Sequence, residues 1–143
     1  MKILLDTNII IDNWTKREPF YADSQKVMTA CTGDNVQACI SALSVPNIFY
    51  IIRKSVSDSD RRSLLKALCN MFDVIGMDKV KLIAALENDT FKDFEDCLQA
   101  ECAADYGADY IVTRNIKDFE NSKVKAITPA EFLELLKPKD EEK

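Results

Sequence analysis

Lys2-Ile3-Leu4-Leu5-Asp6-Thr7-Asn8-Ile9-Ile10-Ile11-Asp12 is the stretch from which the rest of the chain is read. Lys2 to Leu5 is a short aliphatic run of the kind that forms a buried strand. Asp6 follows it directly, and a second apolar run, Ile9 to Ile11, begins three residues later. An ionised carboxylate held between two apolar runs is costly unless it is paired or bound to a metal. The plainer alternative is a turn shaped by Asp6-Thr7-Asn8.

Beyond this opening, strand-like and helix-like stretches alternate. Further strands are expected over Val36–Ser41, Phe72–Ile75 and Ala108–Val112, with a weak one over Lys125–Ile127. Helices are expected over Tyr21–Cys31, Ser57–Asn70, Lys79–Glu87 and Phe94–Tyr106, the last closed by Gly107. Another should run over Val45–Lys54, capped by Ser44 with Pro46 in its first turn. Thr128-Pro129-Ala130-Glu131 has the form of a capping box with proline at the first helical position, and it starts a last helix. Strands separated by helices call for an α/β fold with a mostly parallel sheet covered on both faces. No repeat, low-complexity segment or linker interrupts the pattern, so a single domain over 1–137 is expected, followed by a charged, solvated tail at 138–143.

Composition narrows the chemistry. The 143 residues are 47% hydrophobic, ample for one buried core, and carry a net charge of −5. A bulk basic surface for nucleic acid is therefore absent. Histidine is missing altogether. That removes Ser-His-Asp triads, Cys-His pairs, histidine bases and most zinc enzymes. The five cysteines, Cys31, Cys39, Cys69, Cys97 and Cys102, are odd in number, show no C-x-x-C spacing and sit among apolar residues. They read as small core residues, and free thiols point to a reducing cytoplasm. No signal peptide is visible, and apolar runs such as Ile48–Ile52 are far too short to span a membrane.

In open parallel sheets, ligands bind beyond the carboxyl ends of the strands. The residues in those positions here are Asp6-Thr7-Asn8, then Ser41 leading to Asn47, then Thr113-Arg114-Asn115 with Asp118. Asp93 and Asp96, three apart, share one face at the start of a helix. Carboxylates in a first turn also simply favour the helix dipole, and Asn115 and Asp118 can be read as shaping a loop. If the fold gathers these acids, their mutual repulsion calls for a hard divalent cation with oxygen ligands, Mg²⁺ or Mn²⁺ rather than Zn²⁺. Such an ion activates water and offsets charge on a phosphoryl oxygen.

Leu4-Leu5-Asp6-Thr7-Asn8-Ile9-Ile10-Ile11-Asp12 resembles the opening of PIN domains. Asp96-Cys97-Leu98-Gln99-Ala100 with Ala103 resembles their third motif, and Ile111-Val112-Thr113-Arg114-Asn115 with Asp118-Phe119 their fourth. Ile40-Ser41-Ala42-Leu43-Ser44 followed by Asn47 and Tyr50 falls where their second motif lies. The resemblance covers nearly the whole chain, with four motifs in order. It implies a three-layer α/β/α sandwich around about five strands. It also implies acidic residues that bind Mg²⁺ or Mn²⁺ and hydrolyse single-stranded RNA. Small members are often VapC-like toxins that form homodimers and are held by an antitoxin protein.

Carried over, Asp6 and Asp96 are the first- and third-motif ligands, with Asp93 one turn earlier as a helper. Asn115 and Asp118 complete the catalytic set, Asn8, Asn47 and Thr113 support it, and Arg114 contacts phosphate. Two positions depart from the pattern. Asn47 stands where glutamate is usual, and Asn115 where aspartate often follows Thr-Arg. Asparagine can ligate a hard cation through its carbonyl oxygen but brings no charge and no base. The expected function is thus a metal-dependent endoribonuclease, with a degenerate PIN domain that binds RNA or protein without cutting as the alternative. A phospho-acceptor receiver fits less well, since the acidic pair after the first strand and the lysine after the last are missing.

Overall fold

The computed structural model of the chain describes residues 1–138. The charged tail expected at 138–143 therefore lies, from residue 139 on, outside the described residues. Five strands form one sheet: β1 (Lys2–Leu5), β2 (Gln37–Ser41), β3 (Asp73–Ile75), β4 (Tyr110–Val112) and β5 (Ala126–Ile127). Their order is β3-β2-β1-β4-β5, and every pairing is parallel. Among the described residues seven α-helices surround them, α1 (Thr7–Trp14), α2 (Tyr21–Ala30), α3 (Ser44–Ile51), α4 (Asp58–Met71), α5 (Lys79–Glu87), α6 (Phe94–Tyr106) and α7 (Pro129–Leu136), with a short 3-10 helix at Ile116–Phe119.

Strand alternation builds the layers. Ile3 and Leu5 of β1, Ala38 and Ile40 of β2 and Val112 of β4 face one side, where α1, α2, α3, α4 and α7 bring Ile9, Ile10, Val27, Ile48, Leu65 and Phe132. Leu4, Cys39 and Ile111 face the other side, against Ala100, Cys102 and Ala103 of α6. The α/β/α sandwich with a parallel sheet is the expected one. Both faces of the central strand are buried, which is why Ile3-Leu4-Leu5 is an unbroken aliphatic run.

Three local expectations need correction. Thr7–Trp14, to which the sequence reading assigned no element, is a helix, so the alternative of a turn at Asp6-Thr7-Asn8 does not hold. Ser44 does not cap α3. Leu43 occupies that position in helical conformation, and the Ser44 hydroxyl is buried and bonded elsewhere. Cys69 is exposed rather than in the core, because it lies on the outer face of α4. Gly107 closes α6 as read, in a left-handed conformation at φ 73° that costs glycine least.

Candidate active site

The strand order sets the place. The chain leaves β1 toward β2 on one side, while β4 pairs on the other, so the carboxyl ends of β1 and β4 border the crevice of the sheet. Asp6 is the residue after β1, and its backbone N–H donates to Val112 O at 3.0 Å. Its backbone takes the extended cap conformation at the start of α1, yet its carboxylate does not cap the helix. Oδ2 instead accepts the Thr113 hydroxyl at 2.8 Å, and the same Thr113 Oγ1 accepts the Asn115 N–H at 3.0 Å. Thr113 is fully buried. The two loops at the crevice are thus tied through one hydroxyl. Burial pushes the Asp6 carboxyl up from its ordinary value, opposed by the Thr113 hydroxyl, the Thr7 N–H and the charge of Arg114.

Helix α6 runs antiparallel to the strand it precedes, which puts its first turn at the same edge of the sheet. Asp93 is its cap, with Oδ1 accepting the Asp96 N–H at 3.1 Å. Asp96, one turn on, lines a cleft of about 310 Å³ together with Asp6, Asn8, Asn47, Glu95 and Gln99. Desolvation lifts the Asp96 carboxyl to about 7, with further pushes from the charges of Asp93, Asp6, Asp118 and Glu95. Asp96 also borders a second cleft, of about 270 Å³, with Asp93, Asp118, Lys92 and Lys117. Among the described residues no group of three or more Asp, Glu, Cys or His side chains stands placed to hold a metal by itself.

Asp6, Asn8, Asn47 and Asp96 thus meet in one cleft, and Asp93 and Asp118 lie on the far side of Asp96. Asn115 lines neither, its backbone being spent on Thr113. Arg114, expected at a phosphate, instead gives Nε to the fully buried Asp12 at 2.8 Å and lays its guanidinium 4.3 Å from the centre of the Phe20 ring. An unpaired carboxylate at Asp12 would be far costlier than a solvated arginine, so the pair forms.

Gln99 was not foreseen. Its Nε2 donates to Thr7 Oγ1 at 3.0 Å and Ser44 Oγ at 3.4 Å, and those hydroxyls bond each other at 2.7 Å. One amide thus joins α6 to α1 and α3 at the cleft wall. Its Oε1 is buried with no partner. The signal was available: Gln99 follows Asp96 by three and so shares its helix face. Glu95 and Thr7, next to the two aspartates, also border the cleft.

A sequence-family model of the PIN domain matches residues 2–117. The chain belongs to the PIN-domain family. Among solved structures it resembles a chain of VapBC2 from Rickettsia felis, bound there to a DNA fragment from their promoter, with 21% identity over 90% of this chain and 98% of that one and a TM-score of 0.64. A toxin–antitoxin complex from Klebsiella pneumoniae gives 22% identity, 89% and 97% coverage and a TM-score of 0.67. VapBC-1 from nontypeable Haemophilus influenzae gives 17%, 91% and 99%, and 0.67. At these identities the likeness is one of fold. No curated protein matches the sequence. No described helix is long and apolar enough to cross a membrane.

Proposed function

We propose that this chain is a metal-dependent endoribonuclease that hydrolyses single-stranded RNA, and the toxin of a toxin–antitoxin pair. The observation that carries the reading is the meeting of Asp6 and Asp96, from opposite ends of the PIN domain, on one cleft in which each carboxyl is driven toward its neutral form. A cation relieves that cost. The donors fit a hard ion: the carboxylates of Asp6 and Asp96 with exposed Glu95 beside them, the amide oxygens of Asn8 and Asn47, and neither histidine nor a thiol on the cleft. Two carboxylates suffice for Mg²⁺ or Mn²⁺, which keep much of their water shell. The ion would supply an activated water and charge stabilisation at a phosphodiester.

In this reading Asp6 and Asp96 hold the ion. Thr113 fixes the Asp6 carboxylate, leaving its other oxygen for the cleft. Asp118 and Asp93 add negative charge from the far side of Asp96. The kinship of the fold to chains of toxin–antitoxin complexes supports an antitoxin partner. Homodimer formation is supported by the apolar stripe Val80, Ile83 and Leu86 of α5, spaced three apart and exposed at 77%, 42% and 70%. Purified protein should cut a mixed RNA pool with Mg²⁺ or Mn²⁺ and stop in EDTA, and Asp6→Asn should abolish cutting while the fold survives. Cleavage persisting in excess chelator, once contaminating nuclease is excluded, would overturn the reading. A non-cleaving binding module is the second reading, favoured by the amides at Asn47 and Asn115. Calorimetric titration separates the two, since only the nuclease requires Mn²⁺ to bind.

A further inference from the structure

The cleft at Asp96 does not end there. The second cleft shares Lys117 and Glu120 with an open groove of about 450 Å³, whose rim also carries Lys123 and Lys125. The groove is thus bordered by three lysines and one carboxylate, in a chain whose net charge is −5. Lys92 lines the second cleft together with Asp96 and Lys117. Four of the five arginines are committed elsewhere: Arg62 to Asp58, Arg114 to Asp12, Arg53 to the Tyr50 ring and carbonyl, Arg61 to the Phe49 carbonyl. Among the described residues, Lys92, Lys117, Lys123 and Lys125 enter no ion pair, although acids stand close by. All four are exposed. Polarity therefore reverses across three clefts that share lining residues at Asp96 and at Lys117, from carboxylates at Asp6 and Asp96 to ammonium groups at Lys123 and Lys125.

We propose that this lysine groove holds the sugar–phosphate backbone of a single-stranded RNA, on one side of the phosphate that lies at Asp96. The proposal rests on the nuclease reading for the position of that phosphate, and on the groove alone for binding. An acidic protein repels a polyanion at long range. Local ammonium groups next to the acidic site reverse that at close range, within a screening length of roughly 8–10 Å. Ammonium groups on flexible stems bind phosphates as point charges without reading bases. The groove should therefore hold backbone regardless of sequence, leaving any choice of cut site to the cleft around Asn8, Asn47 and Tyr50.

The test is fluorescence anisotropy of a labelled ~15-nucleotide single-stranded RNA, and of the same sequence as DNA, with the full chain in EDTA across a salt series beginning near ~20 mM. The triple variant Lys117→Gln/Lys123→Gln/Lys125→Gln should flatten the slope of log Kd against log salt by about 2, from about 0.7 per lost contact. It should weaken low-salt binding at least ~10-fold, for RNA and DNA alike, with melting unchanged. Lys26→Gln/Lys54→Gln/Lys66→Gln makes the same change of charge off the groove and should leave the slope as it is. Equal effects of the two triples would assign the binding to net charge and overturn the groove. So would a wild-type slope in the first triple, or no binding by the wild type at the lowest salt. Cleavage is scored separately with Mn²⁺. Groove-dependent binding without cleavage would keep the groove and sink the nuclease, and cleavage with an unaltered slope would do the reverse.

Discussion

Asp96 faces four other carboxylates, Asp93, Asp6, Asp118 and Glu95, and its carboxyl titrates near 7 through desolvation first and their charge second. The folded-state value lies above the ordinary 3.8, so the proton favours the folded chain. In metal-free protein this stability is complete below the unfolded value and is lost as pH rises through about 7. Asp96→Asn removes the ionisation. It should raise metal-free stability near pH ~8 by ~1–2 kcal/mol, less than the full shift implies because the side chain is half-buried, and leave it level near pH ~4. Melting in EDTA across that range reads this out, and an unaltered pH slope would remove Asp96 from the coupled set. Asn47 permits the opposite experiment. Asn47→Glu adds a carboxylate to the cleft, so Mn²⁺ affinity should tighten by ~1–2 kcal/mol while the metal-free protein melts earlier. Calorimetry that finds affinity and melting both unchanged would place the side chain outside the site.

Between elements, the pair Asp12–Arg114 ties α1 to the loop after β4. Arg114→Gln leaves a fully buried carboxylate unpaired and should cost ~3–5 kcal/mol, whereas Asp12→Leu with Arg114→Met should recover most of it. A variant with native melting and only a raised KM would instead return Arg114 to the substrate. This pairing joins positions 102 apart, and for that reason the sequence could not disclose it. The same holds for Gln99 with Thr7, 92 apart. What was legible was local: aliphatic runs for the buried strands, the capping box Thr128-Glu131 formed on both sides, Gly107 at the end of α6. Helix α1 was not assigned, because Asp6-Thr7-Asn8 also suits a turn and the Asp6 carboxylate is spent on Thr113 rather than on capping the helix. Ser44 misled in the same way, its hydroxyl spent on Thr7. Polar residues whose local role is overridden by a distant partner are the ones that sequence spacing misreads, and here they cluster at the cleft.

For the molecule as a whole, the proposed nuclease links ion binding to folding. A cation that binds only the folded cleft stabilises the entire domain, by about 2.7 kcal/mol at a hundred times its Kd. Mn²⁺ and Mg²⁺ should raise the melting temperature in proportion to the logarithm of concentration, EDTA should reverse the rise, and Asp6→Asn should abolish it. A melting curve that ignores millimolar-scale Mn²⁺ would argue for the non-cleaving module. Since one cleft carries the linkage, the shift should be the same whether melting is followed at Trp14 on α1 or through backbone signal from the sheet.

The central position of β1 has a consequence in time. Its first partner, β2, is synthesised soon after it, but Val112 and Thr113, which receive the Asp6 N–H and bind its carboxylate, come more than a hundred residues later. At ribosomal speeds of roughly 5–20 residues per second, the growing polypeptide spends about 5–20 s with Asp6 made and its counterpart missing. During that interval one edge of β1 is open and the cleft has no second wall. The cleft proposed to hold the ion is thus incomplete until β4 and the loop after it have been made.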